Sequence, residues 1–212
     1  MKTYPGLKCD HKVDFSKEIF VCKKCKRKIN TQKLTIGSAQ KGFEDFVNLD
    51  ILRFPKVDVI HDLNNYPWPF KDNQFKVIHA SHIIEHLDVN RAMKELHRIT
   101  MKGGEIRIRV PHHSSPFKRL SHLYEGFNIE TFTNHFYEGT IYADVEFKQL
   151  EVKVMLFGAK AYMKAKHLKL LNWFINLKGI QKIYERFFCY IMPSAEIHYK
   201  LTPLKGKKKR VV

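Results

Sequence analysis

Residues 77–87, VIHASHIIEHL, set His82, Glu85 and His86 in an H-x-x-E-H pattern. On a helix that spacing is the signature of an inverted zinc protease. Such an enzyme needs a further ligand and a helical setting, whereas here a short β-branched run leads into the pattern. Local hydrogen bonds from Glu85 and His86 that orient a loop are therefore the expected role. A second cluster lies near the start. Cys9, His11, Cys22 and Cys25 read C-x-H, ten residues, C-x2-C. Zinc takes four soft or borderline ligands in a tetrahedron, and this set supplies them. So short a segment buries no core of its own, so zinc would supply its folding energy. The alternative is a loop with reduced cysteines and an uninvolved His11. A third candidate is the histidine pair in RVPHHSSP, where His112 and His113 could accept a proton from a reacting group or could be plain polar loop residues.

Charge narrows the partners. The 212 residues carry 38 Lys and Arg against 21 Asp and Glu, a formal charge of +17. Such a balance points to a polyanion, nucleic acid or a ribonucleoprotein first and an anionic membrane second. Lys23, Lys24, Lys26, Arg27 and Lys28 surround the C-x2-C pair and are read as a clamp on RNA phosphates, or as a solvated face of a structural knuckle. The opening residues lack the apolar run of a signal peptide, and no uninterrupted apolar stretch approaches the ~18 residues of a membrane span. Without a secretory signal, clustered cysteines favour metal over disulfides, and the expected compartment is the cytoplasm. Cys189, flanked by aromatics, reads as a buried core thiol.

These groups need elements to position them. Short runs rich in β-branched residues at 33–37, 45–51, 57–63, 75–81 and 104–112 read as strands. Between the last two, Val89, Ala92, Met93, Leu96 and Ile99 share one helical face. Asp88 can cap the start of that helix, and Gly103 with Gly104 can end it. A strand, a helix and another buried strand make a parallel βαβ unit. Residues 147–158 and 195–205 read as a closing pair of strands with a helical segment, 166–192, between them. The expected domains are a zinc-binding ribbon or knuckle at 1–32, an α/β domain at 33–206 and a basic tail at 207–212.

In open α/β sheets ligands bind beyond the carboxyl ends of the strands. Here those ends are Gly37-Ser38-Ala39, Asp50, Asp62, Ala80-Ser81-His82 and Pro111-His112-His113. A glycine turn with two acidic strand ends suits a nucleoside, because a carboxylate can take both ribose hydroxyls. No phosphate-binding G-K-[ST] ending occurs, which favours S-adenosylmethionine over ATP or NAD.

Ile36-Gly37, Asn48-Leu49-Asp50, Asp62-Leu63-Asn64, Trp68-Pro69-Phe70-Lys71-Asp72 and FKVIHASHIIEHL, followed by AMKELHRITMKGGEIRIRVPHHSSP and YERFFCYIMPSAEIHYKLTPLK, together resemble the class I S-adenosylmethionine-dependent methyltransferases. The likeness is to their small bacterial, archaeal and viral branch and covers about residues 33–205. It implies a Rossmann-like α/β fold of seven strands in the order 3-2-1-4-5-7-6, with the last antiparallel. It also implies that Gly37, Ser38 and Ala39 hold the methionine part of the cofactor and that Asp50 binds the ribose. Asp62 and Leu63 would then meet the adenine, Ala80 and Ser81 would lie along the cofactor, and His82 would line the pocket. Ala39 stands where the family has a second glycine, and the thirteen residues from Gly37 to Asp50 leave little or no room for a first helix.

Candidate catalytic residues above the fourth and fifth strand ends are His112 and His113, with His122 and Tyr124 flanking the acceptor. The chain lacks the N-P-P-[YF] of base amino methylation and an evident K-D-K-E set for ribose hydroxyls. Three readings stay open: a methyltransferase acting on or bound to RNA or a ribonucleoprotein; one for a small molecule, glycan or protein; and a degenerate methyltransferase fold serving as an RNA-binding or structural component.

Overall fold

The computed structural model describes residues 12–116, 120–136, 144–156 and 166–206. The expected ligands Cys9 and His11 and the basic tail from residue 207 lie outside them.

β2 (Lys28–Ile36) is the hub of the sheet. Its apolar end, Leu34-Thr35-Ile36, runs parallel to β3 (Phe46–Asp50) on one side and to β5 (Phe75–Ser81) on the other. β4 (Val59–Ile60) extends the β3 edge, and β6 (Thr100–Pro111) lies parallel to β5. β8 (Glu196–Pro203) then inserts antiparallel between β6 and β7 (Phe147–Met155). The spatial order is β4-β3-β2-β5-β6-β8-β7, with β1 (Ile19–Val21) pairing antiparallel to the start of β2. Counted from β2, this is the expected seven-stranded order. β1 is an addition, and the boundary expected after residue 32 falls inside a single strand.

One face of the sheet is apolar. Leu34, Ile36, Leu49, Ile78, Ala80, Ile106, Ile108, Ile197 and Leu201 are fully buried. α1 (Val89–Ile99) lays Ala92, Met93, Leu96 and Ile99 on this core, and Asp88 caps it by accepting from the Arg91 amide at 3.0 Å. Its end differs from expectation. The helix stops at Ile99, because Thr100 turns extended, with its hydroxyl bonded back to the Leu96 carbonyl at 2.6 Å. Gly103 and Gly104 instead lie within β6, where its register against β5 shifts.

The opposite face is polar. The register aligns Thr35, His79, Arg107, Lys200 and Glu151 in one cross-strand row. The connections at 37–45 and 51–58 contain no α-helix, only a 3-10 turn at Ala39–Lys41. With no helix to pack there, strand positions facing that side carry charges that pair across it, as in Arg109 with Glu196 and Lys200 with Glu151.

The helical segment expected over 166–192 is broken. α2 (Thr131–His135) precedes β7. Then α3 (Lys166–Ile175) stops before Gly179, at φ 87°, and α4 (Ile180–Ile183) continues as a π-helical turn at Tyr184–Phe188. α3 and α4 close the free edge of β7 with side-chain amides. Asn172 accepts from the Leu156 amide at 3.0 Å, and Gln181 donates to the Val152 carbonyl at 2.9 Å. Among the described residues no helix is long and apolar enough to cross a membrane.

Candidate functional site

The turn after β2 is held in a conformation that side chains avoid. Gly37 has φ 63°, and a Cβ there would lie 2.8 Å from the Ile83 side chain, so only glycine fits. Ala39 takes φ 45° in spite of its methyl. What holds it is Asp50, at the end of β3. Asp50 Oδ2 accepts from the Ala39 amide at 2.8 Å and Oδ1 from the Leu52 amide at 3.0 Å. The Ser38 amide donates to the Leu49 carbonyl, while the Ser38 hydroxyl is buried and, among the described residues, has no partner. The ends of β2 and β3 thus form one knot, with a carboxylate fastened by two amides and, among the described residues, an unpartnered hydroxyl beside it.

Asp62 makes a tight turn, accepting from the Asn64 amide at 2.9 Å. Leu63 is buried, and its carbonyl accepts from the Trp68 indole at 3.0 Å. Ala80 is fully buried at the end of β5. After Ser81 the chain bends sharply, with His82 at φ 53°. That left-handed backbone is fixed by the His82 amide, which donates to the Arg109 carbonyl at 2.8 Å, and by two carboxylates at its ring. Glu196 and Glu85 each lie 3.4 Å from an imidazole nitrogen. They push the His82 pKa up to about 9 against the opposing effect of burial. Glu196 is the residue that sequence reasoning missed. It opens β8, over 110 positions away, and also takes Arg109 at 2.8 Å and His198 at 3.0 Å. Burial would raise its carboxyl, but hydrogen bonds from His198, His82 and Arg109, with the Arg109 charge, hold it far below the usual carboxylate range. A backbone outlier among paired charges at a strand end is where function concentrates strain.

His112 and His113 follow β6 as expected, but His112 is 2% exposed. Its Nδ1 accepts from the Ser114 amide at 3.2 Å, and its Nε2 faces Glu185 Oε1 at 2.9 Å. Both nitrogens are committed, which suits a tie between β6 and the π-helical turn better than a base. His113 is more accessible. Its Nδ1 faces the Phe127 carbonyl at 3.3 Å, and its Nε2 lies 3.7 Å from the Cys189 sulfur. Cys189 is buried, as its aromatic flanks implied.

At the other end of β2, Cys22 and Cys25 sit on the β1–β2 hairpin. The Cys25 amide points at the Cys22 sulfur, 3.5 Å away, and Lys26 takes φ 62° while its amide donates to the Cys22 carbonyl at 2.9 Å. Lys23, Lys24, Lys26 and Lys28 are exposed. Arg27 is not a phosphate contact. It is turned inward, donating to four backbone carbonyls and, with two bonds, to the buried Asp58. A planar guanidinium with five donors fills that site as a lysine could not.

Residues 12–108 match the family described as Methyltransferase domain. No curated protein sequence matches the chain. Among solved structures, the chain is similar to an S-adenosylmethionine dependent methyltransferase from Mesorhizobium loti, at 10% identity over 81% of this chain and 90% of that one, with a TM-score of 0.50. It is also similar to a SAM dependent methyltransferase from Archaeoglobus fulgidus, at 18% identity over 80% and 85%, with a TM-score of 0.46. With the strand order, the first of these establishes a methyltransferase-type fold.

Proposed function

We propose that the protein is an S-adenosylmethionine-dependent methyltransferase that acts on or is bound to RNA or a ribonucleoprotein. The observation that carries the reading is the knot of Gly37, Ala39 and Asp50 at the carboxyl rim of a sheet in this order, with the Ser38 hydroxyl beside it unpartnered among the described residues. The donor set fits an adenosyl ligand. Gly37 to Ala39 would face its methionine part, Asp50 has lone pairs beyond those the two amides use for the ribose, and Asp62 with Leu63 would frame the adenine. Ala80, Ser81 and His82 would line the cofactor along β5. The cofactor supplies an activated methyl group, so the chain's own residues have to position the acceptor and take its proton. Of the two histidines after β6 we assign proton acceptance to His113, because it is half-buried whereas His112 is buried away from any acceptor.

Two surfaces support an RNA acceptor. The lysines around the Cys22–Cys25 hairpin are exposed. On the far side Trp173, Phe187, Phe188 and Tyr190 stand in solvent, interleaved with exposed Lys178, Lys182 and Arg186. Aromatic faces among cations are how single strands are held without base readout. We further propose that Cys22 and Cys25 ligate zinc together with Cys9 and His11. An amide aimed at the Cys22 sulfur stabilises a thiolate, which is the ligating form.

Calorimetry with S-adenosylmethionine tests the cofactor reading. Binding by the wild-type chain and its loss in Asp50→Ala are expected, and a folded chain that binds none would remove the enzyme. Retained cofactor with no labelled methyl transferred to any fraction of a cell extract would favour the degenerate scaffold. RNA binding that weakens steeply with salt separates the nucleic-acid acceptor from a small-molecule one.

A further inference from the structure

Glu85, His86 and His122 converge. A carboxylate oxygen and one nitrogen from each imidazole lie within 4.8 Å of one another. Glu85 and His86 belong to a 3-10 turn just after β5, and His122 comes from a loop 36 residues beyond His86. The loop is pinned there by backbone. The Leu123 and Tyr124 amides both donate to the Glu85 carbonyl, at 2.7 and 3.3 Å.

Three features distinguish this cluster from a chance grouping of polar side chains. First, the Glu85 side chain is 2% exposed. Its Oε1 faces His82, but among the described residues the buried Oε2 has no partner. A buried carboxylate oxygen left without a donor is costly, and a cation repays that cost. Second, His86 is oriented from behind. Its Nδ1 is 2.9 Å from the Ser121 carbonyl, which can only accept, so Nδ1 carries the proton and Nε2 keeps its lone pair. Third, His122 is arranged the same way, with Nδ1 3.5 Å from Glu125 Oε1 and its side chain 4% exposed. The two rings meet edge to face, centroids 4.9 Å apart. An imidazole whose outer nitrogen is held by a carbonyl or carboxylate is the usual support of a metal ligand.

We propose that Glu85, His86 and His122 form a divalent transition-metal site, distinct from the cysteine cluster, with zinc as the expected ion. Two imidazoles and one carboxylate suit zinc and exclude magnesium or calcium as the preferred ion. Three protein ligands leave the fourth position to water or to an oxygen of a bound molecule, the arrangement of an open site. The proposal does not depend on methyl transfer.

The test uses the full chain, stripped by chelation and reloaded with zinc or cobalt. Metal analysis should find an ion beyond any held by thiolates. Cobalt in this site should show d–d bands without a thiolate charge-transfer band, whereas cobalt bound by Cys22 and Cys25 would show one. His122→Asn should remove that thiolate-free ion, weakening its binding by more than the 10- to 100-fold that loss of a supporting group costs, with any thiolate band unchanged. Glu85→Gln, which is nearly isosteric, repeats the measurement should His122→Asn fail to fold. No thiolate-free ion in the wild-type chain, or undiminished binding in the folded variants, would overturn the site.

Discussion

Arg27 and Asp58 are joined by two hydrogen bonds, at 2.8 and 3.2 Å, that clasp the β1–β2 hairpin to the loop before β4. Asp58 also accepts from the Asn48 amide at 2.8 Å, and its side chain is wholly buried. Removing the guanidinium would strand a buried carboxylate. Arg27→Ala should therefore cost about 3–5 kcal/mol in urea denaturation, and Arg27→Lys should recover only part of it. In the test of the proposed RNA acceptor, the folded Arg27→Lys protein should behave as the wild type does, since Arg27 faces inward.

The edge of β7 is closed by Asn176, whose side chain accepts from the Val154 amide at 2.9 Å and donates to the Val154 carbonyl at 2.8 Å. It mimics a neighbouring strand. Asn176→Leu keeps the branched shape but leaves both backbone groups of Val154 unpaired, at a cost of about 1–3 kcal/mol. An open strand edge also templates association, so light scattering on heating should rise with the fall in thermal midpoint.

Ala39 holds φ 45° with its amide bonded to Asp50. Glycine takes that conformation without the clash of a Cβ against its own carbonyl. Ala39→Gly should stabilise the fold by about 1 kcal/mol, less the entropy glycine adds to the unfolded chain. Chemical denaturation checks this, and a fall in stability would show that the methyl has a packing role.

His79 is neutral at physiological pH. Burial first, then Arg109, Arg107 and His198, bring its pKa down to about 4, and its Nδ1 is buried without a partner among the described residues. The unfolded chain binds a proton near pH 6.5 that the folded chain refuses until about 4. Stability from this residue is thus complete above 6.5 and is lost as pH falls toward 4, with up to one proton taken up on unfolding. In His79→Gln that part of the slope should vanish, as measured by urea denaturation across the window.

Local patterning determined much of this protein. The β-branched runs of β3, β5 and β8, the apolar face of α1 with its Asp88 cap, and the left-handed turn at Gly37 all follow from periodicity and steric rules that act within a few residues. The strand order came from the resemblance to a methyltransferase family and not from local pattern, and the structure has that order. Tertiary structure alone decided which charges meet. Arg27 reads as one more cation beside a cysteine pair until the fold turns it onto Asp58. Glu196 is one acid in a closing strand until the antiparallel insertion of β8 sets it beside His82 and Arg109. His122 has no sequence relation to Glu85 and His86, and a loop pinned by two amides carries it there. The physical reason is range: hydrophobic period and backbone propensity are properties of neighbours along the chain, whereas the pairing of buried charges is set by strand register and loop closure between residues 31 to more than 100 positions apart.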